Sequence, residues 1–164
     1  MTGRLLLAAL ALALAGCGLR PLYGGGEASS VAATLRSVMV QPIGGQTGWL
    51  VRTALVDRLG ATEAAPRFRL EVELDDDLAG LGIRGDSAIT RERRTLRARY
   101  RLVEIATGAV VLDATAGSDA GIDVVASEYA TVAAEQTAVE RLSQVVADQI
   151  VARLGLFASR QPTR

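Results

Sequence analysis

Twice along the chain, apolar and charged residues alternate with a period of two. Phe68, Leu70, Val72 and Leu74 fall on one side, and Arg67, Arg69, Glu71 and Glu73 on the other. Leu96, Ala98, Tyr100 and Leu102 repeat the pattern against Arg97, Arg99 and Arg101. Successive side chains of a strand point to opposite faces. The spacing therefore predicts strands over 67–75 and 95–103, in a sheet with one buried and one wet face.

Other stretches carry helical spacing. Leu50, Ala54, Leu55 and Leu59 share a stripe that excludes Arg52, Asp57 and Arg58, which predicts a helix over 49–59 with Gly60 as its C-cap. Val132, Val139, Leu142, Val146, Ile150 and Leu154 predict a long helix over 129–154, stopped by Gly155, with 156–164 as a frayed tail. Leu35, Val38 and Val40 suggest a first strand over 33–40, ended by Pro42 and the turn residues Ile43-Gly44-Gly45. Gly108 opens a further strand over 109–116, and 123–129 is irregular. The order β-α-β-β-β-α predicts the α+β class. It would be a two-layer sandwich, a four-stranded, mostly antiparallel sheet with two helices on one face, forming a single domain over 31–155.

The first residues follow a different logic. Arg4 precedes an unbroken Leu/Ala run from Leu5 to Leu14, followed by Leu14-Ala15-Gly16-Cys17. The run is too short to span a bilayer, which needs about 20 apolar residues, and its flanks are those of an export signal over 1–16. Small residues before a cysteine match the lipobox of bacterial lipoproteins, in which the thiol takes up a diacylglycerol and the new N-terminus an acyl chain. Cys17 is the only cysteine of the 164 residues, so it has no disulfide partner within the chain. Each buried methylene contributes roughly 0.8 kcal/mol, so several acyl chains on Cys17 would anchor the protein stably. Gly18 follows the cysteine, rather than the aspartate that resembles an inner-membrane retention signal, and by analogy with enteric bacteria this favours the outer membrane, facing the periplasm. Residues 17–30, with Pro21, Gly24-Gly25-Gly26 and two serines, predict a flexible tether.

Composition narrows the chemistry. Beyond residue 16 the chain carries 17 arginines against 18 acids and neither lysine nor histidine. That excludes Ser-His-Asp, Cys-His and Ser-Lys nucleophile pairs, His/Cys zinc sites and a Walker A lysine. A net charge near zero offers no global field for nucleic acid. Asp75-Asp76-Asp77 reads as a polar strand end or as oxygen ligands for a hard cation, without the glycine and glutamate spacing of a calcium loop. No enzyme activity and no cofactor or metal are expected, apart from the covalent lipid.

What remains is a charge pattern. Residues 71–77 hold five acids, and residues 84–101 hold seven arginines against Asp86 and Glu92. In a hairpin, Glu71 and Glu73 would lie opposite Arg99 and Arg97 as cross-strand pairs. Arg84, Arg91, Arg93 and Arg94 would lie near the hairpin tip, where fewer acids reach them. Guanidinium forks bind phosphates bidentately. These four are either solvated surface or a receiver for an anionic glycolipid head group or an acidic partner.

The stretch Leu14-Ala15-Gly16-Cys17-Gly18-Leu19-Arg20-Pro21-Leu22-Tyr23-Gly24 resembles the mature start of alphaproteobacterial lipopolysaccharide-assembly lipoproteins, the LptE family. The element order, Ser127-Glu128-Tyr129-Ala130 and the final Ile150-Val151-Ala152-Arg153-Leu154 are also similar to that family. The resemblance implies a binding module that plugs the lumen of the outer-membrane β-barrel LptD, which inserts lipopolysaccharide into the outer leaflet. In enteric members, basic residues flanking the middle hairpin and the start of the last helix contact lipopolysaccharide. Arg84, Arg91, Arg93 and Arg94 match the first region, whereas 130–135 carries no basic residue. An alternative from a different class is a periplasmic auxiliary lipoprotein of an ABC-type lipid transporter.

Overall fold

The computed structural model describes residues 30–60, 65–83 and 89–161. Within them the order is α1 (Ser30–Arg36), β1 (Val38–Val40), α2 (Gly45–Leu59), β2 (Phe68–Ile83), β3 (Ile89–Glu104), β4 (Val110–Asp123) and α3 (Glu128–Ser159). The fold is α+β, with a four-stranded mixed sheet in the order β1-β2-β3-β4. β1 pairs parallel with β2, and the other two pairings are antiparallel. The helices number three among the described residues, not the expected two.

The additional helix comes from residues expected to be strand. Val31 and Leu35, one helical repeat apart, are both buried, and α1 packs against α3. Ser37 closes α1 by donating to the Thr34 carbonyl at 2.7 Å. Only Val38–Val40 then remains for β1; the Gln41 N–H still donates to the Leu70 carbonyl at 3.0 Å, and Pro42, lacking an N–H, comes next.

The α2 boundary also moves. It begins at Gly45, whose φ of 79° suits glycine, and its core stripe is Gly48, Val51, Ala54, Leu55 and Leu59. Trp49 points to solvent. Gly60 adopts the left-handed conformation (φ 57°) and donates to the Val56 carbonyl, as expected of the C-cap.

α3 runs on through Gly155, which is buried rather than terminal. Phe157 follows in the same helix and meets Phe68 edge-on at 5.9 Å, and Ala158 is buried. The apolar surface of Phe157 and Ala158 keeps the helix folded where a frayed tail was expected. At the other end Ser127 caps α3, its hydroxyl accepting from the Ala130 N–H.

Phe68, Leu70, Leu96, Ala98, Tyr100 and Leu102 form one core with Leu35, Val51, Leu55, Val146, Ile150 and Leu154. Among the described residues all three helices therefore cover one face of the sheet, and the other face is open. The sheet also extends past its core. β2 and β3 pair on to Leu81↔Arg91 and Ile83↔Ile89, well beyond the predicted strand ends at 75 and 95. Backbone pairing persists there although little apolar surface is buried, which hydrophobic alternation could not signal.

Candidate functional site

The open face is built by period-two geometry. On β3, Leu96, Ala98, Tyr100 and Leu102 are buried toward the helices, so Arg91, Arg93, Arg97, Arg99 and Arg101 all project from the opposite face. Across the ladder, Glu71 stands opposite Arg101, Glu73 opposite Arg99 and Asp75 opposite Arg97. This register is two residues away from the one expected, so the faces are preserved and the partners change. On the far side Asp113, Asp119 and Asp123 of β4 interleave with the same arginines.

The charges on this face are matched but loosely held. Arg91 meets Asp123 at 3.0 Å and Arg93 meets Asp119 at 3.9 Å, with all four side chains at least 59% exposed. Arg99 pairs with Asp113 at 3.1 Å and Arg101 with Glu71 at 3.3 Å. The Arg99 hydrogen bond holds the Asp113 carboxyl below its ordinary range. Exposed pairs of this kind contribute about 0–1 kcal/mol, so an incoming anion can displace the carboxylate at little cost. Among the described residues Arg97 carries no ion pair. It lines a hollow of about 370 Å³ with Glu73, Asp75, Arg99 and Thr115. A second hollow, of about 250 Å³, lies between Arg91, Arg93, Asp119 and Asp123.

Arg94 belongs elsewhere. Its parity sends it to the helix-covered side, where it donates twice to Asp76, at 2.8 and 2.7 Å, and points toward the Glu135 carbonyl at 3.5 Å. Thr47 of α2 donates to the same carboxylate at 2.7 Å. Both side chains of the pair are only about a fifth exposed, at 20% and 21%. The Arg94 hydrogen bonds pull the Asp76 carboxyl below its ordinary value, outweighing the opposite effect of burial. Asp76 in turn raises the Arg94 guanidinium. This junction ties β2, β3, α2 and α3 together where the core ends.

The expected tip cluster therefore divides. Arg91 and Arg93 share the open face, Arg94 is a structural tie, and Arg84 lies outside the described residues, as does Cys17. The expectation of few neutralising acids at the tip does not hold for Arg91, Arg93 and Arg94, each of which has an aspartate partner. Parity alone separates 91 and 93 from 94, and that signal was present in the sequence. Arg97 entered the sequence argument as a partner of Glu73; the observed register sets it opposite Asp75, and the two side chains form no ion pair.

The same alternation disposes of the aspartate triplet as a unit. Asp76 faces the helices while Asp75 and Asp77 face the other way, and among the described residues no group of three or more potential ligands converges on a metal position. No helix of the described residues is long and apolar enough to cross a membrane.

Comparison with known proteins fits this geometry. A lipoprotein from Caulobacter crescentus superposes with a TM-score of 0.68 at 23% identity, covering 80% of this chain and 97% of that one. The rare lipoprotein B of Shewanella oneidensis does so at 0.58 and 11% identity, covering 74% and 96%. A minor lipoprotein of Acinetobacter baumannii gives 0.60 at 14%, covering 74% and 92%. At these identities the likeness establishes the fold. No curated protein matches the chain significantly. The family model for LptE, lipopolysaccharide assembly, matches residues 35–154. That match spans β1 to β4, the arginine-lined face and most of α3, and the chain belongs to the LptE family of lipopolysaccharide-assembly lipoproteins.

Proposed function

We propose that the protein is an outer-membrane lipoprotein that assembles with an LptD-type β-barrel, occupies its lumen and takes part in inserting lipopolysaccharide into the outer leaflet. Residues 1–16 act as the export signal, Cys17 carries the diacylglycerol and N-acyl chain, and residues 18–29 tether the domain to the periplasm-facing leaflet. The domain binds and positions, and no catalytic step is assigned to it.

One observation supports this reading above the others. A single open sheet face carries a row of outward arginines, Arg91, Arg93, Arg97, Arg99 and Arg101, of which Arg91, Arg93 and Arg99 pair with exposed, replaceable aspartates. The lumen of a wide barrel is polar, which suits a face on which arginines and carboxylates alternate. Lipopolysaccharide carries phosphates, which guanidinium forks bind bidentately. Arg91 and Arg93, with Arg84 beside them in sequence, are the proposed contacts for lipopolysaccharide or the barrel, and Arg97 joins them on geometry. Arg94 contributes by holding the hairpin in place.

The test is binding of purified lipopolysaccharide, and co-purification of the barrel, with the R91A/R93A/R97A chain. The reading expects both to weaken while the circular dichroism spectrum stays native. Binding and co-purification equal to wild type would assign this face to solvent alone.

A further inference from the structure

Among the described residues strand β4 has a neighbour on one side only. β3 pairs along it from Val110 to Asp123, and among the described residues no strand lies along its other edge. An unpaired edge 14 residues long presents a row of backbone donors and acceptors that recruits other strands. In an antiparallel ladder these outward groups belong to alternate residues.

At the centre of this edge the groups are taken. Gln149 of α3 reaches over the side of the sheet. Its Oε1 accepts from the Gly117 N–H at 3.0 Å and its Nε2 donates to the Gly117 carbonyl at 3.2 Å. A carboxamide offers the same acceptor and donor as a peptide group. It stands where the backbone of a next strand would stand. Because Gly117 bonds outward through both groups, the residues of the same parity, Asp113, Thr115, Asp119 and Gly121, present theirs outward as well.

We propose that Gln149 locks this edge against a second copy of the chain, which would otherwise pair with β4 strand to strand. The pattern of β4 is self-complementary about Gly117. An antiparallel two-fold pairing centred there sets Ala116 against Ser118, Ala114 against Ala120 and Leu112 against Ile122 on the helix side. On the open side it sets Thr115 against Asp119 and Asp113 against Gly121, so no carboxylate directly opposes another. Repulsion is further muted because Asp113, Asp119 and Asp123 are already paired with Arg99, Arg93 and Arg91 of their own sheet. The lock is local, two hydrogen bonds from one exposed side chain, and removing it leaves the core untouched.

The experiment is sedimentation equilibrium of the full chain in density-matched detergent. Wild type is expected to be monomeric, and Q149A to show a doubled protein mass at the same concentration with an unchanged circular dichroism spectrum. Adding T115P removes an N–H that points away from β3, and is expected to restore the monomer. Amide exchange supplies a second readout should that variant unfold: in Q149A the amides of Thr115 and Asp119 gain protection as concentration rises. A dimeric wild type, a monomeric folded Q149A, or a Q149A dimer without concentration-dependent protection along β4 would each overturn the proposal. So would Q149A bound one-to-one to a different protein, which would assign the edge to a foreign strand.

Discussion

Arg94 and Asp76 illustrate how a single position decides between structure and surface. A bidentate pair, supported by Thr47 and only about a fifth exposed, holds the hairpin to two helices. Removing one partner leaves the other partly buried and uncompensated, so R94A should lower unfolding free energy by about 1–3 kcal/mol. R91A and R93A, which break exposed pairs, should change it by less than about 0.5 kcal/mol. Urea titration of the three variants separates them, and equal effects would contradict the division. The pair also sets a pH dependence. The folded-state pKa of Asp76 lies below its ordinary 3.8, so the carboxylate's contribution is complete above 3.8 and is lost as pH falls through the lowered folded value. Thermal melts from pH 6 downward should show a shallower acid decline for D76N than for wild type. Parallel curves would mean that Asp76 does not carry this dependence.

Elements were legible in the sequence wherever burial and spacing coincide. The alternation at 68–74 and 96–102, and the stripe Leu142-Val146-Ile150-Leu154, mark residues that are all in the core or packed against it. The missed features have physical causes. α1 carries only two buried residues, Val31 and Leu35, and its neighbours Val38 and Val40 are strand formers, so a seven-residue helix was absorbed into the strand. The sheet beyond Asp75 and before Thr95 gains its pairing from backbone bonds, which leave no hydrophobic signature. Gly155 resembles a stop until Phe157 is seen to pack on Phe68. Gly48 was also silent in the sequence. It lets the first turn of α2 close onto Ile43, and a Cβ there would sit 2.7 Å from the Ile43 carbonyl oxygen. G48A should therefore destabilise the domain by about 1–3 kcal/mol, although alanine is the better helix former. A variant as stable as wild type would show that this turn has room to relax.

At the scale of the domain, the three helices among the described residues shield one sheet face and leave the other as a lattice of arginine and carboxylate. The open face contributes little to holding the fold, which leaves it available for a partner of mixed charge. The site was half legible: charge located the arginines and parity their facing, whereas the cross-strand partners, which depend on tertiary pairing, decided which of them carry ion pairs. Cys17 supplies the other half of the proposed function, and C17S is expected to shift the protein from the membrane fraction to the soluble periplasmic fraction. Retention of C17S in membranes would point to an anchor other than lipid. The most direct measurement is a crosslinked pull-down of the tagged full chain from native membranes, with partners identified by mass spectrometry. The account predicts a large outer-membrane β-barrel, captured less efficiently by R91A/R93A/R97A. Recovery of inner-membrane ABC-transporter subunits with no barrel would contradict it.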